Sequence, residues 1–409
     1  MQNNGSPKNT LIANIEHIKN LNSATIYKII EKNAPISRVT ISKISQLAPA
    51  SVTKITRQLL EKKLITETAR QASTGGRCAI SLAPNSSAFN MLCIKIGQKK
   101  LLLTCYDLAG HKNQQTQIDI SQKSGDKLLQ ILLNSINVCI EHQQQHHKKI
   151  SAISITLSGL IDPKNGHIIY TPNNKLDDLP LVKILEEKFQ IPSFIGNHTR
   201  SLALAEYYFG ASKNSEDSIL ISINNGVGSG IIIQGKLLLG KNYNIGEIGH
   251  IQVNPAGNKC HCGHFGCLET EVSDPIILNK VKQAILQGGL SSLNLKDLNI
   301  ERVYQAAANN DPLCQKIVAD ATIYLGKIIS ILINMLNPEK VIISGKIIRA
   351  DKTLFRILKQ CIEHQTLPNF QRAVLIEPTQ LQDNPTLPAF SLIKQAIYEG
   401  DLLQKIKAS

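Results

Sequence analysis

Long apolar runs are missing from this 409-residue sequence, and the polar N-terminus MQNNGSPKNTLIANIEH lacks the apolar core of a signal peptide. There is also no low-complexity tract. Nine cysteines, an odd number with three in one cluster, favour a reducing compartment over a disulfide framework. We therefore expect a soluble cytoplasmic protein of two or three domains with no membrane contact.

Acidic residues are scarce at the start of the chain. Through Pro84 there are twelve Lys and Arg residues but four Asp and Glu residues, so about +8 of the net charge of +14 lies in the first fifth. Such asymmetry is typical of a nucleic-acid-binding module. A lysine-rich solvated surface would give the same count, and charge alone does not separate the two.

The same region carries three helical patterns. The first covers about 24–32, Ser37 can cap the second, and the third begins at Pro49 and runs to about Lys63. Two short helices and a tight turn, followed by the strand-like segments LITETA and RCAISL, predict a winged helix-turn-helix over 1–84. An ordinary three-helix packing domain is the alternative. The side chains expected to face DNA are Ser51, Thr53, Lys54, Arg57 and, on the wing, Arg77.

The segment 246–269, GEIGHIQVNPAGNKCHCGHFGCLE, predicts a metal site. Thiolate and imidazole are preferred zinc ligands, and four of them close a tetrahedral structural site. Gly263 and Gly266 allow the tight loop between the cysteines. His261 or His264 could replace the first histidine, or the cysteines could be buried thiols. The expected ligands lie within eighteen residues and are His250, Cys260, Cys262 and Cys267.

This segment resembles the signature of the ROK family, which contains bacterial sugar kinases and sugar-responsive transcriptional repressors. The resemblance implies that the matching histidine and cysteines bind structural Zn²⁺. Glu269 could instead cap the next helix, Asn173 could be a turn residue, and the glycines could serve backbone geometry alone. The residues that the resemblance assigns to the sugar effector are Gly159, Asn173, Asn197, Gly226, Glu247, His250 and Glu269.

Strands and helices alternate from about residue 88, with glycine turns after strands, which predicts an α/β fold. Their order resembles the two-lobed fold of sugar kinases and actin, with a cleft between the lobes. We expect lobe 1 at 85–196, completed by a C-terminal helix at 388–409, and lobe 2 with the zinc loop at 197–387.

The parts that a kinase needs are mostly absent. Family kinases carry an Asp-x-Gly-Gly-Thr phosphate loop where this chain has KIGQK at 95–99. Their catalytic Asn-Asp pair reads Asn197-His198 here. The glycine turn NNGVGSG at 224–230 remains, but any tight hairpin would keep it. The sequence therefore predicts a protein that is not an enzyme.

The resemblance over about 10–405 is strongest to the amino-sugar-responsive repressors of the family. It implies a homodimer or homotetramer that binds double-stranded DNA operators of amino-sugar uptake and catabolism genes. N-acetylglucosamine 6-phosphate, a phosphorylated amino sugar, would bind in the cleft and release the protein from its operator. Two departures from the family pattern, His198 for an acid and Ser158 for a proline, favour a sugar affinity that is weaker or pH-dependent, or a different ligand. Another sugar, a phosphotransferase-system protein partner, or sugar kinase activity is the alternative.

Overall fold

The structure is a computed structural model that describes residues 8–68 and 80–405. Its chain divides into two compact units, one of 1–196 together with 389–409 and the other of 197–388. The units are described separately below.

The N-terminal part of the first unit has the helices and strands of a winged helix-turn-helix. The N-cap position of Ser37 is confirmed, because its side chain accepts a hydrogen bond from the Thr40 amide. The first helix begins well before the predicted position near 24. The elements are α1 (Lys8–Asn33), β1 (Ile36–Ser37), α2 (Arg38–Ser45), α3 (Pro49–Glu61), β2 (Ile65–Thr68) and β3 (Ser81–Pro84).

This part has its own small core and sheet. Ile30 of α1, Ile41 of α2, and Val52 and Leu59 of α3 are buried. Strand β3 pairs antiparallel with both β1 and β2, in the order β1-β3-β2. The segment between β2 and β3, which contains the predicted wing tip and Arg77, lies outside the described residues.

The rest of the first unit contains a five-stranded sheet with α4 and α5 packed against it. The sheet order is β10-β7-β4-β5-β6, with β4 parallel to β7 and antiparallel to β5. Leu92, Ile94 and Ile155 pack against Leu132 and Leu185 in a single apolar cluster. The elements are β4 (Asn90–Ile96), β5 (Lys100–Asp107), β6 (Lys112–Asp119), α4 (Gly125–Gln145), β7 (Ile150–Leu157), β8 (Leu160–Asp162), β9 (His167–Tyr170), α5 (Leu181–Phe189) and β10 (Ser193–Asn197).

The second unit repeats the theme of a five-stranded sheet with helices. Its order is β13-β12-β11-β14-β15, with a β11–β12 hairpin and parallel β11, β14 and β15. The elements are α6 (His198–Phe209), β11 (Ser218–Ile223), β12 (Val227–Ile233), β13 (Lys236–Leu237), α7 (Glu269–Val272), α8 (Asp274–Leu286), α9 (Ile300–Ala308), α10 (Pro312–Leu336), β14 (Lys340–Ser344), α11 (Asp351–Gln365), α12 (Pro368–Ala373) and β15 (Leu375–Pro378).

Helix α10 corrects the expectation that no segment approaches a membrane span. It is 25 residues long with a mean hydropathy of 1.6, enough to cross a membrane by length and composition. However, 56% of its apolar window is buried inside the unit, where Leu325 and Ile329 join the main core. Core helices of this kind are hydrophobic on most sides because they are buried on most sides.

The chain returns to the first unit with α13 (Leu387–Glu399) and α14 (Asp401–Lys405). The ring of Phe390 stacks on Tyr106 of β5 with centroids 5.2 Å apart. The Lys394 ammonium lies 2.6 Å from a carboxylate oxygen of Glu31 on α1. The Tyr398 hydroxyl donates a hydrogen bond to the other oxygen of the same carboxylate. The two ends of the chain therefore meet within one unit.

Candidate functional site

Helix α3 presents a polar face to solvent. Val52, Thr56 and Leu59 are buried against the rest of the module. These buried residues recur every third or fourth position and most positions between them are exposed, so buried and polar residues separate onto opposite faces. The exposed set contains the four predicted DNA contacts that lie on this helix, which are Ser51, Thr53, Lys54 and Arg57.

A basic residue near this face has an internal role. This residue is Arg38, the first residue of α2. In the structure its Nε donates to the Thr56 hydroxyl of α3 at 3.0 Å, and its Nη2 lies 3.1 Å from Glu67 of β2. The guanidinium thus joins α2, α3 and the wing strand, because five donors in a rigid fork can serve several acceptors at once.

The predicted metal ligands come together in the second unit. One ligand atom from each of His250, Cys260, Cys262 and Cys267 lies within 4.8 Å of the others. The Cys262 and Cys267 sulfurs are 3.7 Å apart, and the Cys260 sulfur is 3.6 Å from Nδ1 of His250. Ligands bound tetrahedrally to Zn²⁺ at usual bond lengths are separated by about 3.6–3.8 Å. This Cys/His cluster could therefore hold a metal ion.

The two other histidines of the loop, His261 and His264, also lie close to the thiols, and His261 contacts a carboxylate as well. Nδ1 of His264 is 3.5 Å from the Cys262 sulfur, and Nδ1 of His261 is 3.8 Å from the Cys260 sulfur. His261 also lies 3.1 Å from a carboxylate oxygen of Glu269. His261 and Glu269 with Cys260 form a second, three-membered group of possible ligands. The alternative that His261 replaces His250 therefore stays open.

Hydrogen bonds and burial set the thiols apart from one another. The His264 backbone N–H and side chain lower the pKa of Cys262 to about 6. Burial raises the pKa of Cys267 to about 12 and also raises the pKa of Cys260. Three sulfurs in close contact cannot all be thiolates unless a cation offsets their charge.

The loop is braced from beneath by a network that the sequence did not reveal. Gly266 has φ +63°, and a Cβ there would lie 1.5 Å from the Asn254 carbonyl oxygen, so only glycine fits. The Asn254 amide donates to the buried Glu271 carboxylate at 2.9 Å, and Lys280 lies 2.7 Å from the same carboxylate. These contacts fix the loop backbone that carries the cysteines.

Glu269 connects the metal loop to the glycine turn. Its Oε2 accepts a hydrogen bond from the Val227 amide at 3.0 Å, and a Cβ on Gly226 would lie 2.7 Å from that oxygen. The two carboxylate oxygens of Glu269 contact Val227 and His261, while the N-cap position of α7 is occupied by Leu268, which forms no side-chain cap. A side chain at Gly226 would therefore displace the Glu269 carboxylate.

Glu247 is held by a residue that sequence reasoning missed. Nη2 of the buried Arg200 lies 2.7 Å from Oε1 of Glu247, and its Nε donates to the Ile245 carbonyl at 2.9 Å. Nη1 of Arg200 is buried without a hydrogen-bond partner. Burial lowers the pKa of this guanidinium, and Glu247 opposes that effect. The Glu247 side chain remains 42% exposed, so its carboxylate can accept from a ligand.

Asn197 has a structural task at the start of α6. Its Oδ1 accepts hydrogen bonds from the Thr199 and Arg200 amides, at 3.0 and 3.2 Å, which caps the helix. His198, which stands where kinases of the family have their catalytic acid, is the first residue of α6 and is half-buried. Asn197, Arg200 and Glu247 thus form one chain of contacts.

Two predicted effector residues lie in the first unit. Gly159 has φ +138°, and a Cβ there would lie 2.2 Å from the Tyr170 carbonyl oxygen, so backbone geometry demands glycine. Asn173 is exposed in the turn that follows β9, near this contact. The five others, Asn197, Gly226, Glu247, His250 and Glu269, belong to the second unit.

The stretch that replaces the kinase phosphate loop lies at the turn from β4 to β5. Lys95 stands at the position of the family's aspartate, and burial lowers its pKa to about 8. Gly97 closes the hairpin, with its amide donating to the Lys100 carbonyl at 2.9 Å. The described turn supplies a lysine where a kinase would supply a carboxylate for the phosphate machinery.

The fold and the Cys/His loop define a member of the ROK family, and residues 91–396 match that family. The chain belongs to it. It is 42% identical over 395 residues to the DNA-binding transcriptional dual regulator NagC of Escherichia coli, with 97% of both chains covered. It is also 32% identical to the E. coli transcriptional repressor Mlc, with 96% of this chain and 97% of Mlc covered.

Solved structures agree with this relationship. A ROK family transcriptional regulator described as a homologue of E. coli Mlc aligns with a TM-score of 0.90 and 39% identity, covering 95% of this chain and 99% of that one. A ROK hexokinase from Thermus thermophilus aligns with a TM-score of 0.60 and 21% identity over 75% of this chain. The hexokinase shares the fold alone, and the uncovered quarter leaves room for the N-terminal module.

Proposed function

We propose that this protein is a sequence-specific DNA-binding transcriptional repressor of amino-sugar uptake and catabolism genes. The observation that carries the proposal is the 42% identity to NagC, which extends over 97% of both chains. The exposed polar face of α3 supports it, since a recognition helix reads base edges in the major groove through such side chains. Lys54 and Arg57 on that face would contact phosphates or bases, and Arg77 on the wing would follow the minor groove.

For the effector we propose N-acetylglucosamine 6-phosphate, with Glu247, His250 and Glu269 accepting or donating to its hydroxyl groups. Glu247 supports this role best, because Arg200 fixes it while leaving it partly exposed. Gly159, Asn173, Asn197 and Gly226 would supply backbone and amide contacts. The effector must bind the DNA-releasing state more tightly, with a coupling free energy of about 1–3 kcal/mol.

We propose that the Cys/His cluster holds one structural Zn²⁺ through His250, Cys260, Cys262 and Cys267. The ion would close the loop and so hold His250 and Glu269 in place. Four protein ligands would leave no open position for a reacting group. The separations between ligand atoms support this assignment.

We further propose a cytoplasmic homodimer or homotetramer that is not an enzyme. The three-part division into 1–84, 85–196 with 388–409, and 197–387 remains our proposal for its domains. Lys95 and His198, in place of two kinase acids, favour regulation over phosphoryl transfer.

The test is binding of the full-length protein to an operator of the NagC type at fixed salt, with and without N-acetylglucosamine 6-phosphate. We expect tight operator binding that the sugar phosphate weakens at least fivefold, and no weakening by glucose 6-phosphate. Equal affinity for operator and scrambled DNA would refute the proposed function. Specific operator binding that does not respond to the sugar phosphate would be consistent with the proposed repressor function but would refute the proposed effector. It would favour a different sugar or a protein partner as the regulator.

A further inference from the structure

A second polar site lies in the first unit, away from the residues discussed so far. An open pocket of about 340 Å³ lies between β6 and the C-terminal end of α4. Among the residues that the structure describes, no apolar residue and no carboxylate lines it. Its lining residues are Asn113, Gln114, His142, Gln143, His146 and Lys148.

Two imidazoles form one wall of this pocket. His142 lies in the last turn of α4 and His146, four residues later, is its C-cap residue, so the two side chains are neighbours. Their ring centroids are 4.7 Å apart, with the planes inclined by 56°, and both residues are exposed. Two neutral imidazoles at this spacing can bind one divalent transition-metal ion as a chelate.

A buried oxygen in the same wall lacks a partner. Gln143 is 4% exposed, and its Nε2 donates to Oε1 of Gln114 at 2.8 Å. Its own Oε1 is buried and accepts no hydrogen bond. A buried unsatisfied acceptor is costly, and a cation or a water bound to one would satisfy it.

The position on the helix also favours positive charge. The pocket lies at the end of α4, where the backbone carbonyl groups point outward and the helix dipole is negative. Lys148 acts in the opposite direction, since its ammonium repels a cation. Lys148 is exposed, so solvent and salt screen its charge, while the chelate, the acceptor oxygen and the dipole all favour a cation.

We propose that His142 and His146, with the oxygen of Gln143, form an exchangeable binding site for a divalent transition-metal ion such as Ni²⁺ or Zn²⁺. This site is separate from the Cys/His cluster, which lies in the other unit. It is also independent of the proposed effector and operator.

The test is calorimetric titration of Ni²⁺ into zinc-loaded full-length protein. We expect a binding event that His142→Ala and His146→Ala each weaken at least tenfold. The matched control is His147→Asn, which removes a neighbouring exposed imidazole outside the pocket. Asparagine tolerates the left-handed backbone at that position, where φ is 55°. This control should bind like wild type.

Lys148→Ala separates the metal from an anion. If the site takes a cation, removing the ammonium should leave Ni²⁺ binding unchanged or stronger, by up to about fivefold. Ni²⁺ affinity that is the same in wild type and in the double variant His142→Ala with His146→Ala would overturn the proposal. Inorganic phosphate binding that Lys148→Ala abolishes, with no histidine-dependent Ni²⁺ binding, would overturn it in favour of an anion site.

Discussion

Arg200 holds Glu247. The guanidinium of this buried residue on α6 donates hydrogen bonds to the Glu247 carboxylate and to the Ile245 carbonyl. It therefore connects α6 to the start of the metal loop. The carboxylate keeps one side toward solvent. A side chain that must accept from a sugar hydroxyl is therefore oriented before the sugar arrives, which reduces the entropy lost on binding.

Arg200→Lys should weaken the effector response. Lysine keeps the positive charge but cannot bond both acceptors as a rigid fork. We expect the sugar phosphate concentration for half-release of operator to rise about tenfold, equivalent to roughly 1.4 kcal/mol. Operator affinity without sugar should change less than twofold. Glu377→Gln, which breaks a half-buried ion pair with Lys340 in the same unit, is the control, and a wild-type response in Arg200→Lys would contradict the role.

Arg57→Ala should weaken operator binding by about 1–3 kcal/mol if it contacts a base, and should relax specificity at that position. A phosphate contact would instead lower affinity for all sequences alike and reduce the salt dependence. Fluorescence anisotropy with operator and scrambled duplexes at three salt concentrations distinguishes the two. Lys213→Ala, an exposed lysine of the second unit, should leave every curve unchanged.

Cys262→Ser should remove the metal and lower the thermal unfolding midpoint. Elemental analysis of wild type should find about one zinc per chain. His250→Ala should lose it, while His261→Ala and His264→Ala should retain it. Metal loss in His261→Ala with retention in His250→Ala would reassign the fourth ligand, and zinc-free wild type would end the metal proposal.

Glu31→Gln should destabilise the first unit by about 3 kcal/mol, because it removes the carboxylate charge that faces the largely buried Lys394 ammonium and accepts from the Tyr398 hydroxyl. Replacing both partners, with Glu31→Leu and Lys394→Met, should restore most of the stability. Urea unfolding measures both effects. Operator affinity of the single variant should fall as well, since α1 supports α3. Equal stability of single variant and wild type would show that the pair contributes nothing.

Lys95→Met should stabilise the protein near neutral pH. The folded-state pKa of Lys95, about 8, lies below its ordinary value of 10.5, so the unfolded chain binds more protons between these values. As pH rises from about 8 to 10.5, the wild-type free energy of unfolding should therefore increase relative to that of Lys95→Met, and the stability advantage of the variant should shrink. A pH-independent difference between the two proteins would show that burial does not shift this lysine.

Local patterns predicted the local parts of this fold. Pro49 and the spacing of Val52 and Leu59 gave the bounds of α3 within two residues, and Ser37 gave the start of α2. The long α1 was predicted only from about residue 24, although Leu11, Ile15 and Ile18 in its N-terminal half already stand at helical spacing. Its partner α14 is at the other end of the sequence, and no local window contains both.

The candidate site shows the same limit. The spacing of His250 and the three cysteines identified the cluster, since the ligands are neighbours in sequence. Arg200 precedes its partner Glu247 by 47 residues. Glu271 lies in the short helix α7, and nothing in the sequence indicates that it accepts a hydrogen bond from Asn254. Only the tertiary structure shows these two contacts. Asn197 was assigned to the effector, although its side chain caps α6 in the structure.

The contact between Glu31 and Lys394 can form only late in the synthesis of the chain. The two residues are 363 positions apart, which a ribosome covers in roughly 20–70 s at usual elongation rates. During that interval the N-terminal module has left the ribosome, yet its α1 anchor has not been made. A nascent or truncated chain would carry the recognition helix without the last turns that steady it. The N-terminal module therefore gains its full set of stabilising contacts only after α13 has been synthesised.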